Sequence, residues 1–309
     1  MLHAKPHPKE SAASLRLTPT DRVVLVIVDG LRPDAINAFR LYHMARLRAA
    51  GASTMDATTV SPASGWAALA SLITGISPGR HGVLGRDVEI SAPFDPLAPV
   101  PELIARAGLP STAFVAEVPR TDRVFASRIA ERLGFLKIRF CGSTAHEILA
   151  GARHTLSTQR HGLIVVHLPD LDETGHRHGW MSPDYGEAAK RVDMAIGLTA
   201  ALADVPRDPR TLLILVSDHG GGGMDPFGHD SDHELDRTIP IILAGNPMPV
   251  SLALPASLLD VPATILYALG VPIPASYEGR PLKEAFVGEK VGVSSLSSAR
   301  ARIGYAPPL

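Results

Sequence analysis

The chain has 309 residues, of which 45% are hydrophobic and 20% charged, so it is long enough for one large α/β domain or two ordinary ones. Its formal net charge of −1 and its aromatic content of 5% argue against binding of a nucleic-acid polymer, which favours basic surfaces and stacking side chains. A single cysteine, Cys141, excludes an internal disulfide framework.

The two ends of the chain differ in composition from its middle. Residues 1–20 are polar and contain three prolines, which predicts a flexible N-terminal arm, and residues 289–309 predict a flexible C-terminal tail. Residues 21–288 are expected to form the main domain. The N-terminus has no apolar secretory region and no apolar run reaches about 18 residues, so we expect a cytoplasmic protein without membrane contact.

Apolar runs that are typical of buried strands alternate with helical patterns along the chain. Strands are predicted at residues 22–28, 53–60, 112–118, 137–141, 162–166, 211–217 and 239–244. Helices are predicted at residues 33–50, 65–74, 101–107, 123–133, 143–159, 183–203 and 258–269. This alternation predicts an α/β fold whose central sheet is mostly parallel, with helices on both faces. Residues 86–100 and 177–186 predict at most a small cap.

Three of the predicted buried strands are followed by acidic residues. Asp29 follows the first strand, Asp170 and Asp172 follow the strand at 162–166, and Asp218 follows the strand at 211–217. Because the carboxyl ends of parallel strands lie at the same edge of a sheet, these carboxylates are expected to converge. Such a group of like charges requires a cation or protons to neutralise it.

Histidines accompany these acids. His219 adjoins Asp218, and His176 lies four residues after Asp172, with Gly175 expected to allow a tight turn between them. The downstream segment GHDSDH adds His229 and His233. Carboxylate and imidazole side chains are typical ligands of zinc-like ions, so the set predicts a site that can hold two metal ions.

The motifs and their order resemble the alkaline phosphatase superfamily, in its branch of type I phosphodiesterases and nucleotide pyrophosphatases. The resemblance spans residues 22 to about 285 and is carried by VIVDGLRPDAI, LASLITGISPGRHGV, HLPDLDETGHRHG, VSDHGG and LLDVPATILYALGVPIP. It implies an alkaline phosphatase-like fold and two divalent ions about 4 Å apart. The ions are usually zinc, with iron or manganese as alternatives, and the implied partner is a small phosphate-ester substrate.

The resemblance also implies a set of metal ligands. One site would use Asp29, Asp218 and His219, and the other would use Asp172, His176 and His229. For the last ligand His233 is a rival, because some branches place this histidine nearer to the following strand. Asp170 is a rival of Asp172, although the D-x-x-G-H spacing favours Asp172. His167 and His178 are expected to support the ligands or to be ordinary strand and loop residues.

The sequence departs from the family at the expected nucleophile. The family places Thr or Ser at the start of the helix that leads into LITG, and that position holds Gly65 here. Ser64, at the predicted N-cap of this helix, is the candidate nucleophile, because a metal ion there can lower the pKa of its hydroxyl. Otherwise Ser64 only caps the helix. In that case water activated by the ions attacks directly, or the site binds ligand without turnover.

We therefore expect a metal-dependent hydrolase of phosphate esters, of the phosphodiesterase, nucleotide pyrophosphatase or phosphatase type. The alternative is a catalytically impaired homologue that binds metal and a phosphorylated ligand, because Gly65 offers no nucleophile. A phosphomutase would need a larger cap than the sequence predicts. A sulfatase is disfavoured, because the segment from Ser61 to Ser64 lacks the cysteine of the C-x-P-x-R motif.

Overall fold

A computed structural model of the chain describes residues 20–84, 98–117, 134–245, 247 and 249–286. In this part of the chain, seven strands form a single sheet. The strands are β1 (Arg22–Val28), β2 (Ala52–Thr58), β3 (Ser111–Val115), β4 (Lys137–Phe140), β5 (Gly162–Leu168), β6 (Thr211–Val216) and β7 (Thr238–Gly245). Each predicted strand is present, and its ends differ from the prediction by at most three residues.

The sheet is mostly parallel, as predicted. Its strand order is β2-β7-β6-β1-β5-β3-β4, and β6, β1, β5, β3 and β4 run parallel. Only β7 is antiparallel to its neighbours β6 and β2 among the described strands. The connection from β6 to β7 contains only a four-residue helix (Glu234–Arg237) among its described elements, and it returns the chain to β7 beside β6 without a long helix packed across the sheet.

Helices cover both faces of the sheet, which confirms the predicted α/β class. They are α1 (Ala35–Ala38), α2 (Tyr42–Ala50), α3 (Gly65–Thr74), α4 (Pro78–His81), α5 (Val100–Arg106), α6 (Ala145–Thr158), α7 (Asp170–His178), α8 (Pro183–Leu202), α9 (Glu234–Arg237) and α10 (Asp260–Ala268). Helices α3, α5 and α10 pack against one face, and α2, α6 and α8 pack against the other. No helix within the described ranges is long and apolar enough to cross a membrane.

The central strands are buried on both faces, which explains their continuous apolar sequences. In β1 the side chains of Val23, Leu25 and Ile27 join the core beneath α3, whereas Val24 and Val26 join the core beneath α8. Full burial of each such side chain stabilises the fold by about 1.5–3 kcal/mol. The strand ends, and the polar residues that follow them, are therefore held in fixed positions.

One prediction about the connections is wrong in detail. The helix predicted over 33–50 is divided into α1 and α2, because the chain turns at Arg40, which has a φ of 55°. Residues 177–186 form the end of α7, a short link and the start of α8. The helix predicted at 123–133, the cap residues 86–97, the arm at 1–19 and the tail at 289–309 lie outside the described residues.

A buried arginine organises the end of the sheet opposite to the strand carboxyl ends. Arg22 begins β1 and is 1% exposed. Its guanidinium donates hydrogen bonds to the carbonyls of Leu156 and Gln159 at the end of α6, to Ala203 O after α8, and to Thr211 Oγ1 at the start of β6. One side chain therefore joins two helix ends to two neighbouring strands.

We predict that Arg22→Met lowers the free energy of unfolding by about 3 kcal/mol, because several buried carbonyl groups lose their donor. Denaturant titration measures this change. The zinc affinity should stay within about twofold of wild type, since Arg22 lies roughly 20 Å along β1 from the site described below. Arg210→Met is the matched control, because the Arg210 side chain is 59% exposed and its ion pair, with Asp21, lies at the surface. Equal effects of the two substitutions would contradict the prediction.

Candidate metal centre

The carboxyl ends of three neighbouring strands lie side by side. β1 pairs in register with β5 and with β6, so that Val28 is opposite Leu168 and Ile27 is opposite Val216. Asp29 follows β1 directly, and Asp218 comes two residues after β6. Parallel pairing in register therefore brings the acids to one edge of the sheet.

Asp172 and His176 lie on a helix, where the sequence predicted a tight turn. Both belong to α7, which begins immediately after β5 and Pro169. Residues four apart lie on the same face of a helix, so Asp172 and His176 project to the same side. Gly175 has a different role from the one predicted: a Cβ there would come within 2.6 Å of the Trp180 ring.

The first cluster consists of Asp172, His176 and His229. The Nε2 atoms of His176 and His229 lie 3.3 and 3.5 Å from Asp172 Oδ1. His229 is almost fully buried. The three potential ligand atoms lie within 4.8 Å of one another, which is compatible with a single cation among them.

The second cluster lies directly beside the first and contains Asp29, Asp218 and His219. His219 Nε2 lies 3.2 Å from Asp29 Oδ1 and 3.6 Å from Asp218 Oδ2. It is also 3.8 Å from Asp172 Oδ1, and its ring stacks on His229 with centroids 3.7 Å apart. The two predicted ligand groups therefore form one continuous site.

The imidazoles are oriented by backbone carbonyls. The Nδ1 atoms of His176, His219 and His229 lie 2.8 Å from the carbonyl oxygens of Phe227, Gly220 and Ala63. Since a carbonyl only accepts, each Nδ1 carries a proton, and each Nε2 is the ring nitrogen that faces the carboxylates and would be available to a cation. This arrangement is typical of histidines that ligate metal ions.

Several buried polar atoms at this edge have no hydrogen-bond partner among the described residues. They are Asp29 Oδ1, His167 Nε2, Asp172 Oδ1 and Asp218 Oδ2. Buried carboxylate oxygens without partners are costly and uncommon in folded proteins. Their convergence fits the donor set of a divalent cation, because a cation would compensate all of them together.

Burial and the charge of Asp29 raise the pKa of Asp218 to about 7 and the pKa of Asp172 to about 6. Burial also opposes ionisation of Asp29, but contacts with His167 and His219 outweigh it and lower the pKa of Asp29. Burial and the nearby His219 lower the pKa of His229 to about 4. The neutral form of His229 is the form that binds metal, and a cation would replace the protons on the two acids.

The rival ligands lie elsewhere. Asp170 accepts a hydrogen bond of 2.7 Å from the Ala145 amide at the start of α6. His233 is the N-cap of α9, where its side chain accepts a hydrogen bond from the Leu235 amide. His178 is partly exposed and lies 3.9 Å from Asp184. His167 differs from these three, because its Nε2 lies 3.0 Å from Asp29 Oδ2.

The start of α3 forms another side of the site. A Cβ added to Gly65 would lie 3.5 Å from Asp218 Oδ2 and 3.6 Å from His219 Nε2. Any side chain at position 65 would therefore project into the ligand cluster. Ser64 is the N-cap of α3, as predicted, but its hydroxyl makes no hydrogen bond to the first turn of the helix.

Two supporting residues were not identified from the sequence. The buried Ser217 hydroxyl contacts the Leu31 amide and the carbonyls of Val28 and His219, and so links the turns after β1 and β6. The buried Asp236 carboxylate accepts hydrogen bonds from the Gly223 amide and the Ser231 hydroxyl, at the two ends of the loop that carries His229. No sequence pattern distinguishes these residues from ordinary loop residues.

A family model described as type I phosphodiesterase / nucleotide pyrophosphatase matches residues 23–241. The chain belongs to this family. The matched segment includes all six predicted metal ligands and Ser64. Membership confirms the resemblance that the motifs indicate.

Curated relatives include two catalytic subunits of GPI ethanolamine phosphate transferases. The chain is 28% identical over 146 residues to transferase 3 of Mus musculus, a match that covers 46% of this chain and 13% of the relative. It is 30% identical over 139 residues to transferase 2 of Homo sapiens, covering 40% of this chain and 14% of the relative. The match thus involves a small part of each transferase.

Similar solved structures include a 2-O GAG sulfatase, with a TM-score of 0.70, 12% identity and coverage of 86% of this chain and 74% of that one. A phosphonate monoester hydrolase from Silicibacter pomeroyi has a TM-score of 0.62, 16% identity and coverage of 88% and 78%. An inactive variant of murine ectonucleotide pyrophosphatase / phosphodiesterase 5, in complex with AMP, has a TM-score of 0.62, 15% identity and coverage of 82% and 96%. At these identities the likeness shows the alkaline phosphatase-like fold alone.

We predict that Asp218→Asn stabilises the metal-free chain at pH 8 and prevents zinc binding at this cluster. The substitution removes a carboxylate whose pKa is raised to about 7, so that a buried charge is lost at pH 8. Thermal unfolding in a chelator should shift upward by about 5 °C, or roughly 2 kcal/mol.

The increase in melting temperature over wild type should become smaller as the pH falls from 8 to 5. The raised pKa of Asp218 stabilises the folded wild type at low pH, and this stabilisation is lost as the pH rises through about 7. Glu173→Gln on the exposed side of α7 serves as the charge-matched control. A lower melting temperature of Asp218→Asn in chelator at pH 8, or zinc binding equal to wild type, would contradict the prediction.

Proposed function

We propose that this chain is a two-metal hydrolase of small phosphate esters. The observation that carries the proposal is the convergence of three carboxylates and three imidazoles, with buried carboxylate oxygens that have no hydrogen-bond partner in the described part of the chain. Family membership supports phosphate-ester chemistry. The similar structures include hydrolases of phosphonate and nucleotide-type esters, which supports the same class of reaction.

The proposed cation sites use the six ligands predicted from the sequence. Asp172, His176 and His229 would hold one ion. Asp29, Asp218 and His219 would hold the other, because His219 Nε2 lies 3.2 Å from Asp29 Oδ1 and 3.6 Å from Asp218 Oδ2. Such a donor set suits zinc best, with iron or manganese as alternatives. When bound, the ions would neutralise the phosphoryl oxygens and lower the pKa of an attacking hydroxyl or water.

Ser64 is the nucleophile in this proposal. It adjoins Gly65, whose missing side chain would face Asp218 and His219, and its hydroxyl is not used to cap α3. Attack by Ser64 Oγ on phosphorus would form a Ser64–phosphate ester and break the bond to the leaving alcohol, which takes up a proton as the Ser64 hydroxyl loses one. Water would then attack the phosphorus of this intermediate, release a phosphate monoester from a diester substrate or inorganic phosphate from a monoester, and return a proton to the Ser64 hydroxyl.

The substrate in this proposal is a small phosphate diester or a nucleotide-type ester. The family is described by phosphodiesterase and nucleotide pyrophosphatase activities, and the curated relatives transfer ethanolamine phosphate. The backbone amides that begin α3 lie beside the ligand cluster, where a helix N-terminus would favour a phosphoryl anion.

We predict that the zinc- or manganese-loaded chain cleaves an aryl phosphate diester or monoester and that Ser64→Ala reduces kcat by about 10³-fold or more, because the attacking oxygen is removed. Release of nitrophenol measures the rate. Metal content should remain at the wild-type level. Ser77→Ala, at the N-cap of α4 away from the cluster, is the matched serine control. A fully loaded wild type that cleaves neither ester would contradict the proposed function.

A second candidate function is favoured by the geometry at position 65. The direction of the missing Cβ indicates that the family nucleophile would project from Gly65 itself, not from Ser64. In this proposal the chain binds metal ions and a phosphorylated ligand without cleaving it. The chain would then retain every metal ligand and lack only the attacking group.

This second candidate predicts that Gly65→Thr creates ester cleavage where the wild type has none. A threonine fits, because its Cβ would make ordinary van der Waals contacts of 3.5 and 3.6 Å with Asp218 and His219. Gly65→Val is the control, since it has a similar shape but no hydroxyl. Wild-type turnover that depends on Ser64 would exclude this candidate and support the first.

A further inference from the structure

His167 faces the candidate metal centre from β5. It is the penultimate residue of that strand and lies opposite Ile27 of β1. Residues that are opposite each other in a sheet project from the same face, and residues two apart along a strand do so as well. His167 therefore projects from the same face as Asp29, which follows Ile27 by two residues.

The Asp29 carboxylate lies between two imidazoles. Its Oδ2 is 3.0 Å from His167 Nε2, and its Oδ1 is 3.2 Å from His219 Nε2. His167 Nε2 is nevertheless buried without an aligned hydrogen bond to any described residue. A nitrogen–oxygen distance of 3.0 Å without hydrogen-bond alignment leaves His167 Nε2 and the Asp29 carboxylate free to bind a common cation.

Asp218 supplies the third donor at this position. One ligand atom each from Asp29, His167 and Asp218 lies within 4.8 Å of the others, and Asp218 is fully buried. Asp218 Oδ2, like His167 Nε2, lacks a hydrogen-bond partner in the described part of the chain. This group therefore combines the two carboxylates of Asp29 and Asp218 with the imidazole of His167. Two of its buried atoms, Asp218 Oδ2 and His167 Nε2, have no hydrogen-bond partner among the described residues.

We propose that His167 is a ligand of the cation held by Asp29, Asp218 and His219. This inference rests on the metal centre of the proposed function and adds a ligand to it. His167 Nε2 would complete a set of two carboxylates and two imidazoles around this cation. Gly65, which adjoins Asp218 and His219, has no side chain and so contributes no hydroxyl oxygen to the set. Four such donors satisfy the coordination number that zinc prefers.

Ligation requires a particular protonation state of His167. Its Nε2 must be unprotonated and bonded to the metal, with the proton on Nδ1. If His167 only positioned Asp29, its Nε2 would carry the proton and donate to Asp29 Oδ2. The two roles therefore differ at a single nitrogen atom, which can be observed directly.

The test is nuclear magnetic resonance of the full chain, labelled with ¹⁵N at histidine and loaded with cadmium-113. We expect one-bond coupling between cadmium and Nε2 of His167, in addition to that of His176, His219 and His229. The coupled signal should disappear in His167→Gln and persist in His178→Gln, a control whose imidazole lies outside the cluster. Cadmium titration should show that only His167→Gln weakens one of two sites, by about tenfold or more.

Two results would overturn the inference. A protonated and uncoupled His167 Nε2 in a chain that holds two cadmium ions would assign His167 to positioning of Asp29, and the two-ion centre would stand. A wild type that binds fewer than two ions would overturn the two-ion centre and the role of His167 with it. If His167→Gln does not fold, the coupling in the wild-type spectrum still decides between the two roles.

Discussion

The concentration of negative charge at one edge of the sheet is the constraint on which the functional site depends. In-register pairing of β1 with β5 and β6 places Asp29, Asp172 and Asp218 close together, in surroundings that exclude most water. Three ionised carboxylates are unfavourable there unless positive charge lies among them. Burial opposes protonation of His219, but the neighbouring carboxylates outweigh it and raise its pKa to about 10, so His219 supplies part of this charge. The buried oxygens that have no hydrogen-bond partner among the described residues mark where a cation would supply more.

The surrounding fold holds this unfavourable arrangement in place. Trp180 Nε1 and the Tyr185 hydroxyl both donate to the carbonyl of Gly30, so two large buried side chains fix the turn after Asp29. Ser217 and Asp236 fix the turn before His219 and the loop that carries His229. Interactions that orient ligands in this way lower the cost of binding a cation, because the ligands are ordered before it arrives.

Much of this arrangement can be predicted from the sequence, because continuous apolar runs and the acids after them have few structural alternatives. The strand pattern identifies the parallel sheet, and the sheet predicts that Asp29 and Asp218 converge. The pattern does not show that Asp172 and His176 share a helix, since Gly175 between them disfavours a helix by itself and its close approach to the Trp180 ring is visible only in the folded chain. The position of His167 beside Asp29 depends on strand register, which a single sequence does not determine.

The most direct test of the two-ion centre is a crystal structure of the zinc-loaded chain with anomalous data collected above and below the zinc absorption edge. We predict two anomalous peaks about 4 Å apart. One should lie about 2.0–2.2 Å from ligand atoms of Asp172, His176 and His229, and the other at the same distance from those of Asp29, Asp218 and His219. Zinc peaks elsewhere, or no peak at this edge of the sheet at saturating zinc, would contradict the account.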